Sequence, residues 1–92
     1  GSGSTASGLY AHAQGRSTVA SAPGSHAEGD ATNASQSFSH AEGRATVSAG
    51  NASHAEGLGT RTIGLASHAE GYITTGSGFG NFMSKLPSLY AK

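Results

Sequence analysis

Small residues alternate with larger or polar ones along most of the chain. One stretch reads Ser25-His26-Ala27-Glu28-Gly29, and the next reads Thr32-Asn33-Ala34-Ser35-Gln36. Alternation at period two is the signature of a strand, whose residues i, i+2 and i+4 share a face. The sequence therefore predicts an inward face of Ser, Ala, Gly, Thr, Ala and Gly, with His and Glu pointing outward. Gly closing each half, as Gly29 or Gly50 does, permits the positive φ of a tight turn. Two strands of about five residues and two turns of about two fill the repeat with nothing left over.

The alternation itself recurs. The pentapeptide Ser-His-Ala-Glu-Gly starts at Ser25, Ser39, Ser53 and Ser67, and an imperfect copy starts at Ala11. His12, His26, His40, His54 and His68 are spaced by 14 residues without exception, and Thr18, Thr32, Thr46, Thr60 and Thr74 follow at the same spacing. A fixed period of this kind predicts a solenoid with one coil per repeat. At roughly 4.8 Å per strand, five to six coils make a slab about 25–30 Å long. An interior of such small residues lets two sheets approach more closely than the usual ~10 Å. The buried hydroxyls then need partners, either backbone groups or one another along the stack.

Composition explains why the repeat matters. The chain has 92 residues, 15 Gly, no Cys, no Trp and a formal net charge of zero. Its apolar content is mostly Ala, and its large aliphatic and aromatic residues are few. A lone globule of this kind buries too little apolar surface to offset a chain entropy of roughly 1–2 kcal/mol per residue. Regular backbone bonding and self-association are expected to supply the stability. No basic stripe argues for nucleic acid, and no long apolar run argues for membrane insertion. Without Cys, disulfides and thiolate zinc sites are excluded, and the compartment stays open. Gly1, Ser2 and Gly3 are expected to be a cloning remnant, residues 4–80 the repeat domain, and residues 81–92 a cap or the start of a neck. The chain is expected to be a piece of a longer protein.

The two outward faces differ. One repeats His at every coil and Glu at every coil but the first, where Gln14 stands, led by Tyr10 or Phe38 in two of them; the other is irregular, with Val19, Asn33, Val47, Arg61 and Thr75 in one column. Uniformity points to repeated identical contacts, and threefold association around the His/Glu face would bury a second surface. The Ser-x-Ala-x-Gly alternation on a 14-residue coil resembles the head domains of trimeric autotransporter adhesins, and similar repeats occur in bacteriophage tail-fibre proteins. The resemblance covers about residues 4–80. It implies an all-β fold: a parallel left-handed β-roll solenoid, assembled side by side as a homotrimer. It implies an adhesive head or stalk segment of a fibre on the bacterial cell surface, with a host surface or matrix ligand, or else a structural segment of a phage virion. In that family the outward positions beside the Ala are commonly apolar. Here they carry His and Glu, which implies a polar trimer core.

The expected trimer interface is Tyr10, His12, His26, Glu28, Phe38, His40, Glu42, His54, Glu56, His68 and Glu70, with His–Glu hydrogen bonds between subunits. No cofactor, resident metal or catalytic residue is expected. Near-identical His–Glu pairs do not make one unique pocket, and no nucleophile elbow, metalloprotease helix or phosphate loop is present. A pH-responsive or metal-binding His/Glu module is an alternative, since symmetry-related His rings on a threefold axis give a nitrogen ligand set. Calcium-binding rolls need Asp in each turn, and Asp30 stands alone. The Thr column resembles an ice-binding array only if it faces outward. Leu58, Tyr72 and Ile73 form the best candidate contact patch for a ligand. Phe79, Phe82, Met83, Leu86 and Tyr90 break the pattern and suit a cap.

Overall fold

The computed structural model describes residues 3–76 and 82–85. Its first sheet takes the His-Ala-Glu-Gly segments, which form β2 (His12–Arg16), β4 (His26–Asp30), β6 (His40–Arg44), β8 (His54–Leu58) and β10 (His68–Tyr72). The second sheet takes two-residue strands: β1 (Thr5–Ala6), β3 (Val19–Ala20), β5 (Asn33–Ala34), β7 (Val47–Ser48), β9 (Arg61–Thr62) and β11 (Thr75–Gly76). A last strand, β12 (Phe82–Lys85), joins the first sheet beside β10. All pairings are parallel. The chain is thus an all-β parallel solenoid of about five turns and 14 residues per coil. Register is fixed by the repeat: His26 pairs with His40, and His40 with His54, so like residues stack.

The interior is as small as the alternation predicts. Ala20, Ala27, Ala34, Ala41, Ala55 and Ala69 are fully buried, and the largest fully buried side chains are Thr. Both sheets fit within a slab of 32 × 22 × 10 Å, no thicker than the ordinary spacing of two sheets alone. The Thr column from Thr18 to Thr74 lies inside, so it presents no array to solvent.

Buried hydroxyls are satisfied unevenly. Ser53 Oγ donates to Gly50 O at 2.6 Å and accepts from Gly50 N–H at 3.1 Å and from Thr62 Oγ1 at 2.9 Å. Thr60 Oγ1 donates to Glu56 O at 3.0 Å. Thr18, Thr32 and Thr46 Oγ1 find no hydrogen-bond partner.

The corners correct two expectations. Coils are not built of two equal strands, because the second strand has two residues and a longer corner follows it. Nor does that corner take its positive φ at Gly50. The left-handed residues lie two positions later, at Tyr10, Gly24, Phe38, Ala52 and Ala66. The cause is the Ser that opens the next strand. Ser25, Ser39 and Ser53 each accept an N–H from the residue three back and donate to its carbonyl, which closes the corner before the chain turns. Bonds between coils hold the non-Gly left-handed residues in place, with Phe38 N–H donating to Pro23 O at 2.9 Å and Ala52 N–H to Ser37 O at 2.9 Å.

At the other corner Gly15, Gly29, Gly43, Gly57 and Gly71 lie at φ 107 to 115°. A Cβ on Gly43 would sit 2.1 Å from Gly57 O, so stacking itself excludes a side chain there. Arg16, Asp30, Arg44, Leu58 and Tyr72 are the last residues of their strands. Phe82–Lys85 falls within the expected cap and continues the first sheet, with His68 opposite Phe82. Gly1, Ser2, Phe79, Leu86, Pro87 and Tyr90 lie outside the described residues.

Candidate functional site

The solvent side of the first sheet carries every His and every Glu of the chain. Each His-x-Glu pair occupies the same two outward positions of a strand. In-register parallel pairing then lines them up as one His column and one carboxylate column, with Gln14 replacing the carboxylate on the first rung. The imidazoles stack. Centroids of His26 and His40 are 4.4 Å apart, and those of His40 and His54 are 4.5 Å apart with planes 7° from parallel. Those spacings reproduce the inter-strand distance of ~4.8 Å, so the backbone sets them. At the two ends the rings tilt, by 44° between His12 and His26 and 51° between His54 and His68.

His and Glu on one strand meet directly. His26 Nε2 is 3.3 Å from Glu28 Oε1, and His68 Nε2 is 3.1 Å from Glu70 Oε1. In the middle of the sheet the contacts bridge rungs. Glu42 lies between two rings, its Oε1 3.3 Å from His40 Nε2 and its Oε2 3.7 Å from His54 Nε2. Glu56 does the same for His54 and His68, at 3.5 and 4.0 Å. His40 Nε2 and His54 Nε2 are buried and make no hydrogen bond despite these approaches. His–Glu contacts thus occur within one chain, along and between its own rungs.

The electrostatics follow from like groups stacked on like groups. Burial pushes the imidazoles of His40 and His54 below their ordinary value, and the neighbouring His lowers each further. Hydrogen bonds from Glu42 and then Glu70, followed by burial, push the Glu56 carboxyl up to about 7. Two carboxylates cannot share a hydrogen bond without a proton, so the middle of the column holds one near neutrality. Glu28, hydrogen-bonded to Glu42 and then to His26, is lowered instead.

A shallow trough of about 700 Å³ runs along the carboxylate column and the Gly column beside it. Its walls repeat at every rung, so it is a channel along the sheet with no single distinguished pocket. Three His/Glu groups bring ligand atoms within 4.8 Å of one another: His26, Glu28 and His40; His40, Glu42 and His54; and Glu56, His68 and Glu70.

The remaining candidates sit at the edges. Tyr10 and Phe38 do not extend the His/Glu row as strand residues. They occupy the left-handed corner, 87% and 70% exposed, and Phe38 packs across Gly24. Leu58 and Tyr72 are paired across β8 and β10, and Ile73 N–H donates to Leu58 O at 2.8 Å, so these three form one exposed patch at the opposite corner. The Glu–Glu coupling was missed in the sequence. Its signal was present in the 14-residue spacing, which stacks carboxylates as surely as it stacks imidazoles. Among the described residues no helix is long and apolar enough to cross a membrane. No family model, no curated protein and no solved structure matches the chain.

Proposed function

We propose that this chain is a structural and adhesive segment of a trimeric fibre, in which three left-handed rolls pack side by side through their His/Glu faces. The observation that carries the reading is the uniform first sheet. Four rungs present the same half-buried His-x-Glu pair in register and the first carries His12 and Gln14 in those positions, while the second sheet varies at equivalent positions. A slab in which no described residue larger than Thr is fully buried has little apolar core of its own, and a flat repetitive face offers the surface on which to gain one. Tyr10 and Phe38 would then flank that interface from the corner, and Leu58, Tyr72 and Ile73 would face a ligand from the other edge. The role is non-catalytic in this reading, because the same His-x-Glu pair recurs along one channel without a single distinguished pocket. Placement on a bacterial cell surface follows from the adhesin-like repeat. The same architecture serves a phage fibre segment with a purely structural role.

Molar mass in solution tests this directly. Light scattering at neutral pH is expected to give about 27 kDa, three times the 9.0 kDa chain. A folded monomer would overturn the proposal, since the His/Glu face would then be a solvent surface.

A further inference from the structure

We propose that the middle two rungs of the His column form a binding site for a divalent transition-metal ion of the zinc class, ligated by Nε2 of His40, Nε2 of His54 and the carboxylate of Glu42. The inference does not rest on trimer formation, because all three ligands belong to one chain.

The donor set is the first support. Two neutral imidazole nitrogens and one carboxylate make three protein ligands and leave a fourth position for water or another ligand, a set that zinc accepts. Ligand spacing is the second. With metal–ligand bonds of about 2.0–2.1 Å, two donors on a tetrahedral ion lie about 3.3 Å apart. Here Glu42 Oε1 is 3.3 Å from His40 Nε2, and Oε2 is 3.7 Å from His54 Nε2. All the ligand atoms fall within 4.8 Å, so side-chain torsions alone can close the set around an ion. The third support singles out these rungs. His40 and His54 carry the imidazole Nε2 atoms that are buried and without a hydrogen bond, whereas His26 and His68 already engage Glu28 and Glu70. A buried ring nitrogen without a hydrogen bond, facing a carboxylate, has a use for a cation between them once it is deprotonated. Because His40 also belongs to the neighbouring group with His26 and Glu28, occupancy of the middle site excludes that one.

The test is equilibrium dialysis of the whole chain against zinc, with bound metal measured by mass spectrometry and coordination read from the visible spectrum of the cobalt-substituted protein. The expected result is bound zinc at neutral pH and the intense cobalt bands of a four-coordinate site. His40→Gln and His54→Gln should each lose the ion, while His12→Gln and Arg61→Gln retain it. Circular dichroism checks the fold of each variant, and Glu42→Gln, which keeps the side-chain volume, serves if a His variant fails to fold. Absence of bound zinc in the parent chain would overturn the site. So would equal weakening by His12→Gln, or a six-coordinate cobalt spectrum, each marking adventitious binding. Molar mass measured on the same samples separates failure of the metal site from failure of the trimer.

Discussion

Two glycines of one corner have opposite requirements. Gly43 lies at φ 107°, and any Cβ would meet Gly57 O at 2.1 Å, a backbone atom that cannot swing away. Gly43→Ala is expected to destabilise the fold by at least the 1–3 kcal/mol typical of a disfavoured backbone region, with the steric clash added. Gly59 lies at φ 68°, where the equivalent residues of other coils are Ser17, Ala31, Ala45 and Ile73, and its Cβ would meet the flexible Ile73 Cγ1 at 3.3 Å and backbone atoms of Ile73 no nearer than 3.9 Å. Gly59→Ala should cost about 1 kcal/mol or less. Thermal melting of the two variants checks the contrast, and equal losses would refute the assignment of Gly43 to close stacking. The Thr column offers a second contrast. Thr46 Oγ1 is buried without a hydrogen-bond partner, while Thr60 Oγ1 bonds Glu56 O. Replacing an unsatisfied hydroxyl with a methyl of similar volume removes a desolvation penalty, so Thr46→Val should be neutral or stabilising by about 1 kcal/mol. Thr60→Val should cost about 0.5–1.5 kcal/mol. Denaturant midpoints would measure both, and a loss at Thr46 as large as that at Thr60 would contradict the difference in bonding.

In the first sheet Glu56 couples to pH with the sign opposite to that of His40 and His54. Glu56 has a carboxyl raised from 4.5 to about 7, so its fold-stabilising protonated state is complete below pH 4.5 and is lost as pH rises through about 7. His40 and His54 are lowered from 6.5, so their contribution is present above that value and is lost as pH falls through the lowered values. Glu56→Gln mimics the protonated carboxyl. It should raise the melting temperature at pH 8, converge on the parent near pH 5, and leave the acid-side losses due to His40, His54 and the lowered Glu28 carboxyl. Melting scans across that range decide the matter, and a parent and variant that run parallel would show that Glu56 is ionised throughout. How much of this sheet was legible follows from the same spacing. The 14-residue step gave the register, the buried Ala and Ser, and the outward His and Glu. It did not give the corners, because a corner closed by Ser53 on Gly50 looks, in sequence, like a Gly turn at Gly50. Tyr10 and Phe38 were displaced from the row for that reason. Nor does alternation reveal which ring nitrogens lack a partner, since that depends on whether Glu42 reaches across to His54.

At the scale of the molecule, each coil contacts only the coils before and after it, so stability is a sum over neighbouring interfaces. The repeat length then becomes a quantity that can be tested by subtraction. Deleting residues 40–53 joins Ser39 to His54 and removes one complete coil. Every remaining outward His and Glu keeps its face, and every inward Ala still meets an Ala or its equivalent. The product should fold with the same strand spectrum, a slab shorter by roughly one strand spacing of ~4.8 Å, and a lower melting temperature, because one interface has gone. Deleting residues 40–52 removes one residue fewer and has a different consequence. Side chains alternate with period two, so a shift of one residue turns the following coil's His and Glu toward an interior built, among the described residues, of Ser, Ala, Thr and Gly. That interior has no room for an imidazole and no partner for a charge. The shorter deletion should therefore be the more damaging one, abolishing cooperative melting or forcing the misfitted coil out as a loop. Circular dichroism melts of the two variants would show it. If the two behaved alike, the interior would be tolerant of large polar groups, and the strict 14-residue period would need a cause other than packing.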